Sequence, residues 1–262
     1  MAAIYEPKGM AREYAALACN LYRGCLHGCT YCYAPACLRM ASEVFWATSV
    51  PRKGILRDLQ REALRYAQQS EPVLFCFTSD PYQPNEDGTT GEALRIMAQA
   101  GCPFQVLTKG GTRALRDLAL FHQVGAAFGT TLLFTDDRDR REWEPNAASV
   151  DDRVAAIAAF HEAGVRTWVS IEPVIDPDQA VELVGQLAPI VDEFKVGKLN
   201  HHQHAATVDW YAFTTRVVAA LQASGRDYML KDALHPYLPK GAPTKRHETR
   251  LRPGLPTRHL AL

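Results

Sequence analysis

Short apolar runs alternate with segments of helical periodicity along most of this chain, and that alternation restricts the possible folds more than any other feature. Ile55, Leu56, Leu59, Ala63, Leu64 and Ala67 recur at helical spacing over 53–69, and the compact run Val73-Leu-Phe-Cys-Phe77 follows. Such a run reads as a strand buried on both faces, the habit of parallel sheets. The pattern continues with a helix near 90–100, strand 104–107, helix 112–123, strand 126–134, helix 150–163, strand 166–171, helix 177–188, strand 193–196 and helix 207–223. With one more strand just before Cys25, this gives about six β-α units joined by right-handed crossovers. A closed eight-unit barrel takes about 250 residues, and part of these 262 residues goes to loops and tail. The expected fold class is therefore α/β, a partial (β/α)6 barrel over 1–235 with a basic, Pro-rich extension over 236–262.

Parallel α/β architectures bind ligands at the carboxyl ends of their strands. Here each apolar run leads into polar residues: Thr78-Ser79-Asp80-Pro81-Tyr82, Thr108-Lys109-Gly110, Thr130-Thr131, Ser170-Ile171-Glu172-Pro173, and the stretch holding Lys195, Lys198, Asn200 and His201. Any one of these reads as a strand-ending turn. Five in succession on one rim predict a binding pocket.

No apolar run approaches the roughly 18 to 20 residues that span a bilayer, and the first residues lack the apolar stretch of a signal peptide. The expectation is a cytoplasmic protein with no membrane partner. Seven cysteines, an odd number with three clustered, fit a reducing compartment better than a disulfide framework. A formal net charge of zero gives no global field for nucleic acid. The sequence from Lys240 to Leu262 nevertheless carries six basic residues against the single acid Glu248. Such a tail reads as a solvated terminus or as a phosphate-contacting arm.

The chemistry is concentrated in Cys25, Cys29 and Cys32, within Asn20-Leu-Tyr-Arg-Gly-Cys-Leu-His-Gly-Cys-Thr-Tyr-Cys-Tyr33. A four-iron cubane normally takes four thiolates, so three close ones leave one iron without a protein ligand. A zinc knuckle recruiting His27, Cys19 or Cys37 is the competing reading, although structural zinc sites usually show two separated ligand pairs and no second pair exists. Buried structural thiols are the other, and a Gly-flanked, Tyr-rich loop suits them poorly.

The spacing Cys-x3-Cys-x2-Cys, with Tyr31 just before the last cysteine, resembles the radical S-adenosylmethionine (SAM) superfamily. Further stretches are similar to its spore photoproduct lyase-like branch, namely Thr78-Ser-Asp-Pro-Tyr-Gln-Pro84, Leu107-Thr-Lys109, Glu144-Pro-Asn-Ala-Ala148 with Arg153, and Lys231-Asp-Ala-Leu234. The resemblance implies a 4Fe-4S cluster on the three cysteines, SAM on the open iron, and a 5'-deoxyadenosyl radical that removes hydrogen from a substrate. It implies further that Tyr31 lies against the adenine, that Thr78, Ser79 and Lys109 meet the aminoacyl end, and that Thr130 and Thr131 hold the ribose. By the same resemblance Glu172 contacts ribose or substrate, while pairing with Lys195 or Lys198 is the structural alternative. Tyr82, Lys198, Asn200 and His201 are the candidate substrate residues, and His201, His202 and His204 read as a polar loop rather than a second metal site. Tyr82, Trp143, Trp210 and Tyr211 read as stacking partners for a base or as packing residues.

One departure stands out. In spore photoproduct lyases a cysteine precedes Thr-Ser-Asp, whereas Phe77 stands here and Cys76 is displaced by one residue. Alternation along a strand then turns Cys76 toward a helix. The expected substrate is a nucleic-acid base, a thymine or modified thymine in DNA undergoing repair, isomerisation or hypermodification, with an electron donor such as flavodoxin or ferredoxin. The alternatives are a peptide, amino acid or small metabolite, or a non-catalytic zinc-knuckle module.

Overall fold

A computed structural model describes residues 2–67, 69–85 and 87–246. The strands in chain order are β1 (Ile4–Tyr5), β2 (Leu17–Cys19), β3 (Tyr22–Arg23), β4 (Val50–Pro51), β5 (Val73–Phe75), β6 (Phe104–Thr108), β7 (Ala127–Thr131), β8 (Arg166–Val174), β9 (Glu193–Lys198), β10 (Asp227–Leu230) and β11 (Lys245–Arg246). The helices are α1 (Ala34–Leu38), α2 (Ser42–Ala47), α3 (Ile55–Ala63), α4 (Thr89–Gln99), α5 (Leu118–Val124), α6 (Asp137–Trp143), α7 (Val150–Glu162), α8 (Pro177–Leu187) and α9 (Trp210–Ser224). Nine strands form one sheet in the order β1-β2-β5-β6-β7-β8-β9-β10-β11, and β3 pairs separately with β4. Pairing is parallel from β2 through β10, with β1 and β11 as antiparallel edges. Among the described residues the sheet does not close on itself, which makes it the partial barrel expected.

The six anticipated strands are present, and β10 is a further parallel strand. Its sequence, Asp227-Tyr-Met-Leu230, is too short for a run of apolar residues to reveal it. Helix α6 was also hidden, because Asp137-Arg-Asp-Arg-Arg-Glu-Trp143 has no apolar stripe. It is held instead by its cap, where the Asp136 carboxylate accepts from the amides of Arg138 and Asp139. A 3-10 turn, Gly111–Asp117, replaces the first half of the helix expected over 112–123. Another, Asp232–Tyr237, runs across the 235/236 boundary, and β11 pairs part of the extension with β10. Residues 247–262 of that extension lie outside the described residues.

Ser149 caps α7, Asp176 with Pro177 starts α8, and Asp209 caps α9, each side chain accepting from orphan amides of the first turn. The outer faces of the strands bury an aromatic ladder against the helices. Phe75 meets Phe104 edge-on at 6.4 Å, Phe104 meets Phe121 at 5.5 Å, and Phe160 stacks on Phe128 at 3.8 Å. The inner faces hold a smaller cluster of Ala15, Leu74 and Trp168, with Tyr14, Phe77 and Leu107 packed against it. Lys195 is buried beside that plug, its ammonium 4.2 Å from the Trp168 ring centroid. Burial holds its pKa below the ordinary lysine value.

Candidate active site

A cavity of about 370 Å³ opens at the carboxyl ends of the parallel strands, and Cys25, Cys29 and Cys32 share its wall. The loop that carries them is fastened at several points. Asn20 Oδ1 accepts from the amides of Phe77 and Thr78 at 2.8 and 3.0 Å, which ties β2 to the end of β5. The Leu26 amide donates to Gln83 Oε1 at 2.7 Å. From the segment after α6, the Asn146 amide donates to the His27 carbonyl, and the Thr30 amide donates to the Trp143 carbonyl. Gly24 has φ +85°, and an added Cβ would lie 2.0 Å from the Thr48 carbonyl oxygen, so no other residue fits where the loop leaves β3.

Two buried carboxylates organise the charge. Asp80 Oδ1 accepts from Thr108 Oγ1 at 2.6 Å and from the Tyr82 amide at 2.8 Å, while Oδ2 accepts from the Lys109 amide at 2.7 Å. His27 Nδ1 lies 3.5 Å from Asp80 Oδ2. Burial pushes the imidazole down to about 4 against the opposing pull of Asp80, so it is neutral at physiological pH. Glu144 is fully buried. It pairs with Arg153 at 2.6 Å and Lys109 at 3.9 Å, and it accepts a hydrogen bond from the Tyr31 hydroxyl. Burial favours the neutral acid, but Arg153 and Lys109 outweigh it and hold the carboxyl below its usual range. Lys109 remains a cation for the reciprocal reason: burial lowers its pKa, and Cys29 with Glu144 raises it further than burial lowers it. Its ammonium stands 5.6 Å from the Tyr31 ring centroid.

Burial pushes the Cys29 thiol up to about 12 and raises Cys25 and Cys32 as well. A coordinated metal reverses that balance, because a ligating thiol is deprotonated outright. The donor set fits a cluster with an open iron, since three thiols line one cavity, a half-buried cation stands beside Cys29, and Ser79 Oγ is buried there without a conventional hydrogen-bond partner, next to Cys76; among the described residues no three His, Cys, Asp or Glu side chains are already gathered into a metal-holding group. Cys25, Cys29 and Cys32 would hold the cluster, which would supply one-electron reduction to SAM.

Most predicted site residues converge on this cavity. Tyr31, Thr78, Ser79, Lys109, Thr131, Glu172, Lys198, Asn200 and His201 all line it. Thr130 does not. It is fully buried and donates to the Thr108 carbonyl at 2.9 Å, because adjacent strand residues face opposite sides. Tyr82 is also elsewhere, fully buried with its hydroxyl donating to Asp117 at 2.9 Å, which makes it a packing residue. Glu172 pairs with Lys231 at 3.4 Å rather than with Lys195 or Lys198. An added Cβ at Gly197 would lie 2.4 Å from Glu172 Cδ, so the glycine makes room for that carboxylate. Of the three histidines only His201 reaches the cavity; His204 Nε2 lies 3.0 Å from the Ile175 carbonyl and lines a separate groove with Trp143. Cys76 lines the cavity, contrary to the register reasoning, which required β5 to continue through Phe77 although it ends at Phe75.

Sequence reasoning assigned no role to Asn20, Asp80, Glu144, Asn146, Arg153 or Lys231, although all stood within the stretches similar to the family. It missed Tyr14 and the 3-10 turn Gly9–Glu13 entirely. That turn is fastened to the far end of the sheet, where Lys231 Nζ donates to the Met10 carbonyl at 2.8 Å and the Asp232 amide donates to Glu13 at 2.8 Å.

The structure is thus an open, mostly parallel α/β barrel with three cysteines lining the cavity at its ligand-binding rim. The family profile described as the Radical SAM superfamily matches residues 19–187, and the chain belongs to that superfamily. An uncharacterized protein of Mycobacterium tuberculosis is 29% identical over 188 residues, covering 64% of this chain and 54% of the relative. One of Methanocaldococcus jannaschii is 26% identical over 185 residues, covering 69% of each. The match thus spans about half the length of the mycobacterial relative. Among solved structures, a doubly substituted spore photoproduct lyase with bound AdoMet and dinucleoside spore photoproduct aligns with a TM-score of 0.59 at 18% identity, over 80% of this chain and 63% of that one. Streptococcus suis SuiB bound to S-adenosylmethionine aligns with a TM-score of 0.62 at 14% identity, over 83% of this chain and 51% of that one. Members of the superfamily use a 4Fe-4S cluster and SAM.

Proposed function

We propose that this enzyme abstracts hydrogen from a nucleic-acid base, a thymine or modified thymine in DNA. The observation that carries the reading is a cavity lined both by the three thiols and by Glu172 on β8, Lys198 at the end of β9, and Asn200 and His201 in the loop that follows. That arrangement leaves room between them for a substrate held by polar groups. The fold shared with spore photoproduct lyase, one structure of which holds AdoMet and a dinucleoside photoproduct, supports a base as target. Lys109 would bind the carboxylate of SAM through a charge-assisted bond, Ser79 would add a hydroxyl, and Tyr31, oriented by Glu144, would flank the adenine. Thr131 alone of the threonine pair would meet the ribose.

Phe77 in place of a cysteine favours an isomerase, whose product retains the abstracted hydrogen. The Cys76 thiol on the cavity wall favours a lyase-type outcome, in which a thiol returns hydrogen, and Cys76→Ala separates them: full turnover in the variant selects the isomerase. The reaction would take place in the cytoplasm with a flavodoxin or ferredoxin as donor. Among the described residues no helix is long and apolar enough to cross a membrane. The test is an anaerobic reaction of reconstituted enzyme, SAM and reductant with deuterated thymine-containing DNA. Deuterium in 5'-deoxyadenosine supports the reading; SAM cleavage without transfer from any DNA position refutes the target and points to a peptide or metabolite.

A further inference from the structure

Most charges on the cavity wall are committed to partners. Lys109 is paired with Glu144, Lys231 with Glu13 and Glu172, and Asp80 accepts three hydrogen bonds and faces His27. Two ammonium groups differ: among the described residues, neither Lys198 nor Lys8 has a carboxylate partner, and both line the cavity. Lys198 stands on an aromatic platform, its Nζ 5.0 Å from the Trp210 centroid and 5.5 Å from that of Tyr237. Trp210 is buried and fixed by its own hydrogen bond, Nε1 donating to the Ala205 carbonyl at 2.9 Å. Rings of this kind hold a cation in place without neutralising it. His201 lines the same cavity at φ +56°, a left-handed conformation uncommon outside glycine. Lys198 and His201 come from the end of β9, several strands away in the sheet order from β2, after which the thiols lie, whereas Lys8 caps the turn between β1 and β2.

We propose that Lys198, Lys8 and His201 form an anion seat for a phosphate of the substrate, distinct from the Lys109 side of the cavity. The inference rests on the reading of this cavity as the radical SAM substrate site and specifies its substrate as a phosphate-bearing nucleotide unit. Lys198 is half-buried, and a partly desolvated cation without a counter-charge is costly; an incoming phosphate relieves that cost through charge-assisted hydrogen bonds. The exposed Lys8 brings a second charge from the turn that Lys231 and Glu13 fasten in place, so the seat exists only with that turn docked.

The test is isothermal titration of the reconstituted holoenzyme with SAM bound, under anaerobic conditions. The probes are thymidine, thymidine 5'-monophosphate and ribose 5-phosphate. Thymidine 5'-monophosphate is expected to bind at least about tenfold more tightly than thymidine, with an affinity that weakens as salt rises. Lys198→Met should remove most of that preference, and Lys198→Arg, which keeps the charge, should retain it. Equal affinity for thymidine and its monophosphate, or no binding of either, overturns the seat, and this wild-type comparison decides even if Lys198→Met fails to fold. Ribose 5-phosphate binding as tightly as the nucleotide supports the seat while counting against the base as the recognised group.

Discussion

Glu144 is the residue whose loss should be felt most widely, because one fully buried carboxylate meets Arg153, Lys109 and the Tyr31 hydroxyl. Glu144→Gln keeps the volume and removes the charge, leaving the guanidinium of Arg153, 1% exposed, and the half-buried ammonium of Lys109 without their shared anion. Breaking a buried pair by removing one partner costs about 3–5 kcal/mol, a large share of the roughly 5–15 kcal/mol that keeps a domain folded. Urea unfolding at pH 7 is the assay. The pH dependence has a definite sign. The folded carboxyl is held below its usual value, so its contribution is fully present above about pH 4.3, the unfolded value, and is lost as pH falls through the lower folded value. The gap between wild type and variant should therefore narrow in acid. A companion change, Arg153→Met in the Glu144→Gln background, should recover part of the loss, since it removes one unpaired cation. A gap below about 1 kcal/mol at pH 7, or one of constant size down through the acid range, would refute the network as described.

Lys195→Met should stabilise the protein by about 1 kcal/mol or more, because it replaces a buried, unfavourably placed cation by an apolar chain. Its folded pKa is depressed, so the unfolded state binds more protons below about pH 10.4 and wild-type stability rises as pH climbs toward that value. The advantage of the variant should shrink over the same range, as unfolding measured at pH 7 and pH 10 would reveal. Lys109→Ala should weaken SAM binding about tenfold or more while iron content stays intact; unchanged affinity by equilibrium dialysis would remove Lys109 from the SAM site.

The layered fold was legible because parallel strands buried on both faces leave compact apolar runs, as at Val73–Phe75. Elements without such runs were not. Helix α6 is held by a cap and ion pairs, and β10 is four residues long, so neither carries a hydrophobic period. At the site, the cysteines and strand-end polar residues were readable from spacing, yet the partner of each charge was not. Lys231 reaches Glu172 only because β10 lies beside β9, a neighbour relation the sequence does not display. Thr130 was misplaced because adjacent residues within β7 face opposite sides, and Cys76 because β5 ends at Phe75 rather than running on through Phe77.

The proposed chemistry requires Cys25, Cys29 and Cys32 to hold a cluster with one iron open to SAM. The most direct measurement is the electron paramagnetic resonance spectrum of the reduced, anaerobically reconstituted protein before and after adding SAM. A reduced 4Fe-4S signal that shifts with SAM in the wild type and is missing from Cys29→Ala is the predicted result. A signal indifferent to SAM, or one that survives unaltered in Cys29→Ala, would contradict the account.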